Sequence, residues 1–170
     1  MKTKTALIAA IAENGVIGTG DDMPWHIKSE LMYFMRMTKG KPVIMGRKTF
    51  ETLGGKPLKN RPNIIVTRDT SWHHKGVTTT HSLEDAMNTA RSICAETGCD
   101  EIMVAGGAEI YKQALPFADR LYLTEIHLKP EGSITFPPFD RAGWTETKRE
   151  FHKAQDGETA DYTITVLEKV

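Results

Sequence analysis

The sequence predicts an α/β protein with a mostly parallel central sheet of about eight strands, an antiparallel C-terminal edge and four flanking helices. Short apolar or β-branched runs alternate with segments of helical periodicity, which is typical of βαβ units. The last two strand candidates follow each other without a helix, and the Asp156-Gly157 pair between them indicates a hairpin. The chain has 170 residues and shows no linker or internal repeat, so residues 1–170 are expected to form one domain.

The individual elements follow from local patterns along the chain. Strand candidates are the runs richest in β-branched and apolar side chains: 5–12, 42–45, 63–67, 101–105, 120–127, 144–152 and 159–169. Helix candidates begin near Ser29, Arg47, Ser82 and Ala108. The helix at Ser82 is the best defined, because Ser82 can cap it, apolar residues recur at helical spacing, and Gly98 ends it.

Charge and cysteine content restrict the classes of function. The 22 basic and 22 acidic residues give a formal net charge of zero, which argues against nucleic acid or an anionic membrane as the main partner. Two cysteines are too few for a disulfide framework, and Cys94 falls on the apolar face of the third helix, so we expect a buried thiol. A free thiol fits a reducing compartment, and we predict a cytoplasmic location. The apolar run 6–12 is too short for a signal peptide and is assigned to the first strand.

Glu30 is the first candidate for chemistry. It lies in the first turn of a helix that continues through the apolar run 31–35, so its carboxylate borders an apolar face. An acid in apolar surroundings needs a cationic or multi-donor partner, which a ligand could provide. The alternative is a solvated glutamate that the helix macrodipole favours near an N-terminus.

Three further motifs lie at the predicted carboxyl ends of strands, where open α/β sheets bind their ligands. They are the segments 46–49 (GRKT), 67–68 (TR) and 106–107 (GG). Each alone is also explained by surface charge or a tight turn, but together they indicate a nucleotide that carries phosphates. The three-glycine Rossmann spacing and the P-loop are absent, so a different nucleotide-binding fold is expected.

The sequence offers little for covalent or metal chemistry. No nucleophile elbow is present, and His73-His74 is typical of a solvated loop, so no metal is expected. A bound cofactor would therefore carry the difficult chemistry. The irregular stretch 13–25 contains Gly15, Gly18 and Gly20, which predicts a mobile lid over a site.

An ordered set of motifs, together with Gly18, runs from Ala6 to the C-terminus. Its blocks are IAA at 8–10, MPW at 23–25, PVIMGRKTF at 42–50, RPNIIV at 61–66, GGAEIY at 106–111 and LYLT at 121–124. This set resembles the dihydrofolate reductase family of the bacterial single-domain type. Any block alone could arise by chance, whereas the ordered set is specific.

The resemblance implies NADPH-dependent reduction of 7,8-dihydrofolate to tetrahydrofolate, in support of one-carbon metabolism and of thymidylate and purine synthesis. Hydride would pass from nicotinamide C4 to pterin C6, and water would protonate N5. The resemblance also implies dihydrofolate and antifolate inhibitors as the small-molecule partners, and a monomeric protein.

The resemblance assigns roles around the pterin. Glu30 would accept hydrogen bonds from N3 and the 2-amino group, and Thr124 would support it from the adjacent strand. Trp25 would hold an ordered water, Met23 would cover the site from the lid, and Tyr111 would flank the nicotinamide. The expected substrate-binding residues are Ile8, Ala9, Ala10, Glu30, Leu31, Phe34, Thr49, Leu53, Leu58, Arg61, Ala105 and Thr124.

The resemblance likewise assigns the substrate tail and the cofactor. Arg61 would grip the α-carboxylate of the folate tail. Arg47, Lys48 and Arg68 would hold the cofactor phosphates, including the 2′-phosphate. The expected cofactor-binding residues are Ala10, Ile17, Gly18, Gly46, Arg47, Lys48, Thr49, Thr67, Arg68, His81, Ala105, Gly106, Gly107, Ala108, Glu109, Ile110 and Tyr111.

Three residues depart from the family pattern. Ala105 is smaller than the side chain often found there, so the pocket beside the nicotinamide is expected to be roomier. Ser133 replaces an acid that is common in its loop, which is expected to weaken lid closure. Glu109 stands where some members place a cation near the cofactor phosphates.

Two other functions stay open at this stage. One is a reductase of a pyrimidine intermediate of riboflavin synthesis, which shares the fold. The other is a non-catalytic nucleotide-binding module. The MPW block together with Glu30 and Arg61 favours folate over the pyrimidine substrate, whereas an assay with NADPH and dihydrofolate separates all three functions.

Overall fold

A computed structural model describes residues 3–18 and 24–170. The strands are β1 (Lys4–Ala12), β2 (Val16–Gly18), β3 (Val43–Gly46), β4 (Asn63–Val66), β5 (Thr78–Thr80), β6 (Glu101–Val104), β7 (Arg120–Ile126), β8 (Ile134–Thr135), β9 (Trp144–His152) and β10 (Tyr162–Lys169). The helices are α1 (Lys28–Thr38), α2 (Arg47–Thr52), α3 (Leu83–Thr97) and α4 (Ala108–Ala114). Every predicted helix and strand is present, with ends that differ by a few residues at most.

The main sheet has eight strands in the order β5-β4-β3-β6-β1-β7-β10-β9. Neighbours from β5 through β7 run parallel, whereas β10 is antiparallel to both β7 and β9. The predicted fold class, including its antiparallel C-terminal edge, is confirmed. The eighth strand, β5, consists of three threonines and is too short to carry a periodicity that sequence analysis could detect.

Alternate residues of the central strands face two separate apolar layers. On one face, Leu7 and Ile44 pack against α3 and α4. On the other face, Ile8 and Met45 pack with Phe50 of α2 and with the underside of α1. The sheet is therefore covered on both sides, as a parallel sheet requires. No helix within residues 3–18 and 24–170 combines the length and apolar character needed to cross a membrane.

Helix α3 begins and ends where the sequence predicts, but its cysteine does not behave as expected. The Ser82 hydroxyl accepts a hydrogen bond from the Asp85 N–H at 3.1 Å, and Gly98 ends the helix with a φ of +79°. The prediction of a free thiol at Cys94 is wrong, because Cys94 and Cys99 form a disulfide. The left-handed Gly98 turns the chain back and brings the two cysteine Cα atoms within 4.5 Å. The free-thiol argument for a reducing compartment is thereby lost, and the cytoplasmic location stays a prediction.

The stretch 13–25, predicted to be irregular, contains the short strand β2, which pairs antiparallel with β8. The Phe136 N–H donates to the Gly15 carbonyl at 3.0 Å, and Asn14 Nδ2 donates to the Pro130 carbonyl at 2.7 Å. The first half of this stretch is thus attached to the segment that contains Ser133. The lid hypothesis also concerns residues 19–23, which lie outside the described residues.

The hairpin between β9 and β10 holds the N-terminus of α1. Ile27 provides no capping side chain, and the Glu158 carboxylate accepts a hydrogen bond from the Ser29 N–H at 2.7 Å instead. The Tyr162 hydroxyl donates to the Ser29 hydroxyl at 2.8 Å. These contacts fix the helical turn that carries Glu30.

Candidate active site

Glu30 is hydrogen-bonded to the side chain of Thr124 on β7. Burial raises the pKa of Glu30 to about 7, and the hydrogen bond with Thr124 opposes that rise. Thr124 pairs with Ala10 in the parallel register of β7 and β1, so the carboxyl lies beside the second half of the central strand. A carboxyl with this pKa exists in both protonation states at neutral pH and favours ionisation when donors approach it.

Tyr111 and Gly106 make a tight contact beside the middle of β1. The Tyr111 hydroxyl donates to the Ile8 carbonyl at 2.6 Å, and burial together with the charge of Glu30 raises the pKa of Tyr111. Gly106 has a φ of +96°, and a Cβ atom there would lie 2.5 Å from the tyrosine ring and hydroxyl. Glycine alone allows this approach. The Gly46 N–H donates to the Gly106 carbonyl at 2.8 Å, which joins the ends of β3 and β6.

Trp25 is buried next to the first turn of α1. It packs in an apolar cluster with Ile27, Tyr33 and Tyr162, and the half-buried Ala10 borders the same cluster. Its expected role of holding a water stays a prediction. Met23, which was assigned to cover the site, lies outside the described residues.

The apolar residues expected to bind folate fall into three groups. One cluster on the α1 face contains Ile8, Phe34, Leu53, Leu58 and Ala105, so the structure brings these residues together. Leu31 is 48 % exposed and belongs to no buried cluster among the described residues. The Ala9 side chain faces the opposite layer, under α3 and α4, so that only its backbone can face this pocket.

Arg61 is fixed against the last turn of α1. Its Nη1 donates to the Met35 carbonyl at 2.7 Å and to the Thr38 hydroxyl at 2.6 Å, and its Nε donates to the Lys59 carbonyl at 2.8 Å. The buried Thr38 hydroxyl in turn donates to the Phe34 carbonyl at 2.9 Å. Burial lowers the pKa of Arg61. Within residues 3–18 and 24–170 its Nη2 has no hydrogen-bond partner and can donate to a ligand carboxylate.

The expected phosphate-binding residues meet at the carboxyl ends of β3 and β4. The Thr49 hydroxyl accepts a hydrogen bond from the Gly107 N–H at 2.9 Å. His81 Nδ1 lies 2.8 Å from the Thr67 carbonyl oxygen, which brings the segment before α3 next to the end of β4. Lys48 and Arg68 are exposed in the same region, with no ion pair inside the described ranges.

The remaining expected cofactor contacts lie on β2 and α4. Gly18 ends β2, and Ile17 is half-buried against the layer that contains α3 and α4. Ile110 is buried in that layer, Ala108 is half-buried and Glu109 is exposed. The residues present fit a phosphate-bearing nucleotide, because threonine hydroxyls, exposed cations and a closely approachable glycine backbone share one edge of the sheet. In the described part of the chain, no group of three or more His, Cys, Asp or Glu side chains could hold a metal ion.

Sequence reasoning missed the contacts that hold these residues in place. Thr38 supports Arg61 across 23 residues of chain, and Glu158 supports the turn of Glu30 across 129 residues. Asp69 and Trp72, which flank Arg47, also carried no motif. None of these residues forms a local pattern with its partner, so no sequence signal could have found them.

The combination of a partly buried carboxyl with paired glycines and several cations at strand ends is typical of a cofactor-dependent α/β enzyme that binds a phosphate-bearing nucleotide. The chain belongs to the dihydrofolate reductase family, whose family model matches residues 4–169. The sequence-based assignment to this family is confirmed, and with it the assignment to the oxidoreductases.

Individual relatives agree with this membership. The chain is 47% identical over 146 residues to dihydrofolate reductase of Neisseria meningitidis serogroup A, with 86% of each chain covered. It is 43% identical over 151 residues to dihydrofolate reductase type 3 of Salmonella typhimurium, with 89% of each covered. Its fold superimposes with a TM-score of 0.84 on dihydrofolate reductase from Enterococcus faecalis complexed with NADP(H) and RAB-propyl, at 29% identity, covering 98% of this chain and 96% of that one.

Proposed function

We propose that this protein reduces 7,8-dihydrofolate to 5,6,7,8-tetrahydrofolate with NADPH, and thereby supports one-carbon metabolism and the synthesis of thymidylate and purines. The observation that carries the proposal is Glu30, an acid whose pKa burial raises to about 7 and whose one hydrogen-bonding side chain among the described residues is Thr124. A ligand that offers two N–H donors would stabilise the ionised form of such a carboxyl. The pterin N3 and 2-amino group are such a pair.

Glu30 has two effects on a bound pterin. As the carboxylate accepts both donors, its pKa falls again and its negative charge is fixed at the far edge of the ring. That charge favours the electron-poor pterin protonated at N5, which is the form that accepts the hydride at C6. Thr124 stabilises the ionised form, because its hydroxyl hydrogen-bonds to the same carboxyl.

Water is proposed to deliver the proton to N5. Glu30 is engaged with N3 and the 2-amino group, which leaves it no geometry for direct transfer to N5. Trp25 is proposed to hold the ordered water beside the carboxyl, and Met23 to cover the site from the lid. Exclusion of bulk water would strengthen the electrostatic effect of Glu30.

The residues at the strand ends are proposed to hold NADPH, which supplies the hydride that pterin C6 accepts. Gly106, Gly107 and Tyr111 would border the nicotinamide and pyrophosphate, and Arg47, Lys48, Thr67 and Arg68 would bind the phosphates. Tyr111 can form a rigid side of the nicotinamide site, since its hydroxyl is hydrogen-bonded to the Ile8 carbonyl and its ring is buried. These residues would then position the nicotinamide ring in contact with the pterin ring.

We further propose that the substrate tail binds at Arg61, and that antifolates which present the same donor pair bind at Glu30.

The protein is proposed to act as a monomer in the cytoplasm. The exposed large apolar residues of the described ranges are few: Leu31, Met32, Phe117, Phe151 and Val170. Leu31 and Met32 adjoin Glu30 in α1, so they fit a ligand cleft better than a subunit interface.

Loss of the nicotinamide absorbance band in the presence of NADPH and dihydrofolate tests the proposal. We expect turnover that requires both compounds and falls by orders of magnitude in Glu30→Gln. The partial recovery expected at acid pH would show that a pterin already protonated at N5 needs the carboxylate less. Activity on a pyrimidine substrate alone would indicate the riboflavin-type reductase, and nucleotide binding without turnover would indicate a non-catalytic module.

A further inference from the structure

Arg47 is not a free cation at the end of β3. Its Nε donates to the Glu51 carboxylate at 2.8 Å, and its Nη1 lies 3.4 Å from Asp69 Oδ2. Its guanidinium carbon lies 5.7 Å from the centre of the Trp72 ring. Two neighbouring carboxylates weaken the attraction of Arg47 for a further anion. Arg47 is therefore a weaker phosphate-binding group than its motif alone suggests.

Asp69 is held in place by its own turn. Asp69 Oδ1 accepts hydrogen bonds from the Ser71 N–H at 2.9 Å and the Ser71 hydroxyl at 2.6 Å. The Asp69 N–H donates to the Thr67 hydroxyl at 3.2 Å, and the Trp72 N–H donates to the Asp69 carbonyl at 3.2 Å. Because Oδ1 is occupied by Ser71, Oδ2 is left to face Arg47.

The Asp69 carboxyl is ionised under ordinary conditions. The side-chain and backbone hydrogen bonds from Ser71, followed by the charge of Arg47, hold its pKa below the usual range. The segment 67–69 thus places a hydroxyl, a cation and a fixed anion one after another at the end of β4. The anion is the unusual member of a site for a phosphate dianion.

We propose that Asp69 determines cofactor specificity, by reducing the preference for a 2′-phosphorylated nucleotide over its unphosphorylated counterpart. The inference rests on the cofactor site of the proposed function. A fixed carboxylate repels a 2′-phosphate and competes with it for Arg47, whereas the same carboxylate can accept a hydrogen bond from a ribose 2′-hydroxyl. The chain therefore uses NADH better than its row of cations would predict, while Arg68 and Lys48 maintain a net preference for NADPH.

The decisive variant is Asp69→Asn, which keeps an Oδ1 acceptor for Ser71 and removes the charge. Calorimetry with adenosine 2′,5′-bisphosphate and with adenosine 5′-monophosphate measures the 2′-phosphate contribution without turnover. We expect the bisphosphate to bind about three- to tenfold more tightly in the variant, with the monophosphate unchanged or slightly weaker. The ratio of the Michaelis constants for NADH and NADPH should rise by the same factor.

A matched control is Asp140→Asn, because Asp140 also accepts a backbone hydrogen bond within a turn, from the Ala142 N–H at 2.9 Å, and forms no ion pair with Arg47 in the described ranges. This control variant should bind both nucleotides as tightly as the unmodified protein does. Equal changes for both nucleotides in Asp69→Asn, or no change, would overturn the inference. Weaker bisphosphate binding would also overturn it, since Asp69 would then position Arg47 productively.

The two proposals fail in different ways. If the unmodified protein turns over dihydrofolate with NADPH and Asp69→Asn shows no selective gain, only the role of Asp69 is wrong. If the unmodified protein binds neither nucleotide, the proposed cofactor site is wrong and the inference falls with it. Removing Arg47 should reduce the gain from Asp69→Asn, because the competition between Asp69 and the 2′-phosphate for the Arg47 guanidinium is then lost while the direct repulsion stays.

Discussion

Replacement of Glu30 by glutamine should make the folded protein more stable at neutral and alkaline pH, although it should remove most activity. Burial raises the pKa of Glu30 from 4.5 to about 7, so ionising this carboxyl in the free protein costs folding free energy. A glutamine has nearly the same shape and carries no charge to desolvate. Glu30 is therefore expected to lower the free energy of unfolding of the ligand-free protein, while it strengthens ligand binding.

The size and pH range of the effect follow from the two pKa values. A rise from 4.5 to about 7 corresponds to about 3 kcal/mol of differential free energy. Between these pH values the folded state binds more protons than the unfolded state, so the stability of the unmodified protein falls as the pH rises. The advantage of Glu30→Gln should be close to zero near pH 4.5, grow through the interval and level off above pH 7 at about 2–3 kcal/mol.

Urea unfolding of the ligand-free protein at about pH 4.5 and about pH 8 measures the two free energies of unfolding. The control is Glu131→Gln, which removes a carboxylate from an exposed loop and should leave stability unchanged at both pH values. A Glu30→Gln variant that is no more stable than the parent at the higher pH would refute the reasoning. A gain of equal size at both pH values would also refute it, because shape rather than charge would then be responsible.

Three other changes have definite expectations. Arg61→Ala should raise the Kd for dihydrofolate by about tenfold to a hundredfold, since the charge-assisted contact from Nη2 is lost, while a pterin without the glutamate tail should bind as before. Ser133→Asp should shift the loop 13–25 towards a closed state in the cofactor complex, and relaxation-dispersion data without a population change would contradict this. Glu101→Gln should lower the free energy of unfolding by about 2–4 kcal/mol at neutral pH, because buried Glu101 pairs with Lys41 at 2.5 Å and Arg120 at 2.6 Å. Desolvation alone would raise the pKa of Glu101, but these partners hold it below its usual value, so the deficit should shrink in urea titrations below about pH 4.

The sheet and its helices could be predicted from sequence because their signals are local. The strands β1, β3, β4, β6 and β7 are apolar runs buried on both faces, and α3 has a cap, a periodic face and a terminating glycine. The strands that escaped prediction, β2, β5 and β8, have three residues or fewer. Elements of that length exist only because a neighbouring strand pairs with them.

The pairing of the two cysteines could not be predicted from local sequence patterns either. Its cysteines are five residues apart, a spacing that matches no framework or metal motif. Cys94 is correctly placed on the apolar face of α3, and only the direction of the chain after Gly98 brings Cys99 back to it. Burial could be inferred from helical periodicity, whereas pairing required the backbone conformation of one glycine.

The candidate site divides in the same way. Glu30, Arg61 and Arg47 could be singled out because each lies in a local motif or at a strand end. Their chemical condition is set by residues distant in the chain: Thr124 and burial set the pKa of Glu30, and Asp69 moderates the charge of Arg47. A motif therefore specifies which group is present, while long-range contacts decide its protonation and its effective charge. The properties that separate this chain from its relatives should be sought in partners that lie outside the motifs, since a substitution at Asp69 leaves every motif intact and still changes what the site prefers to bind.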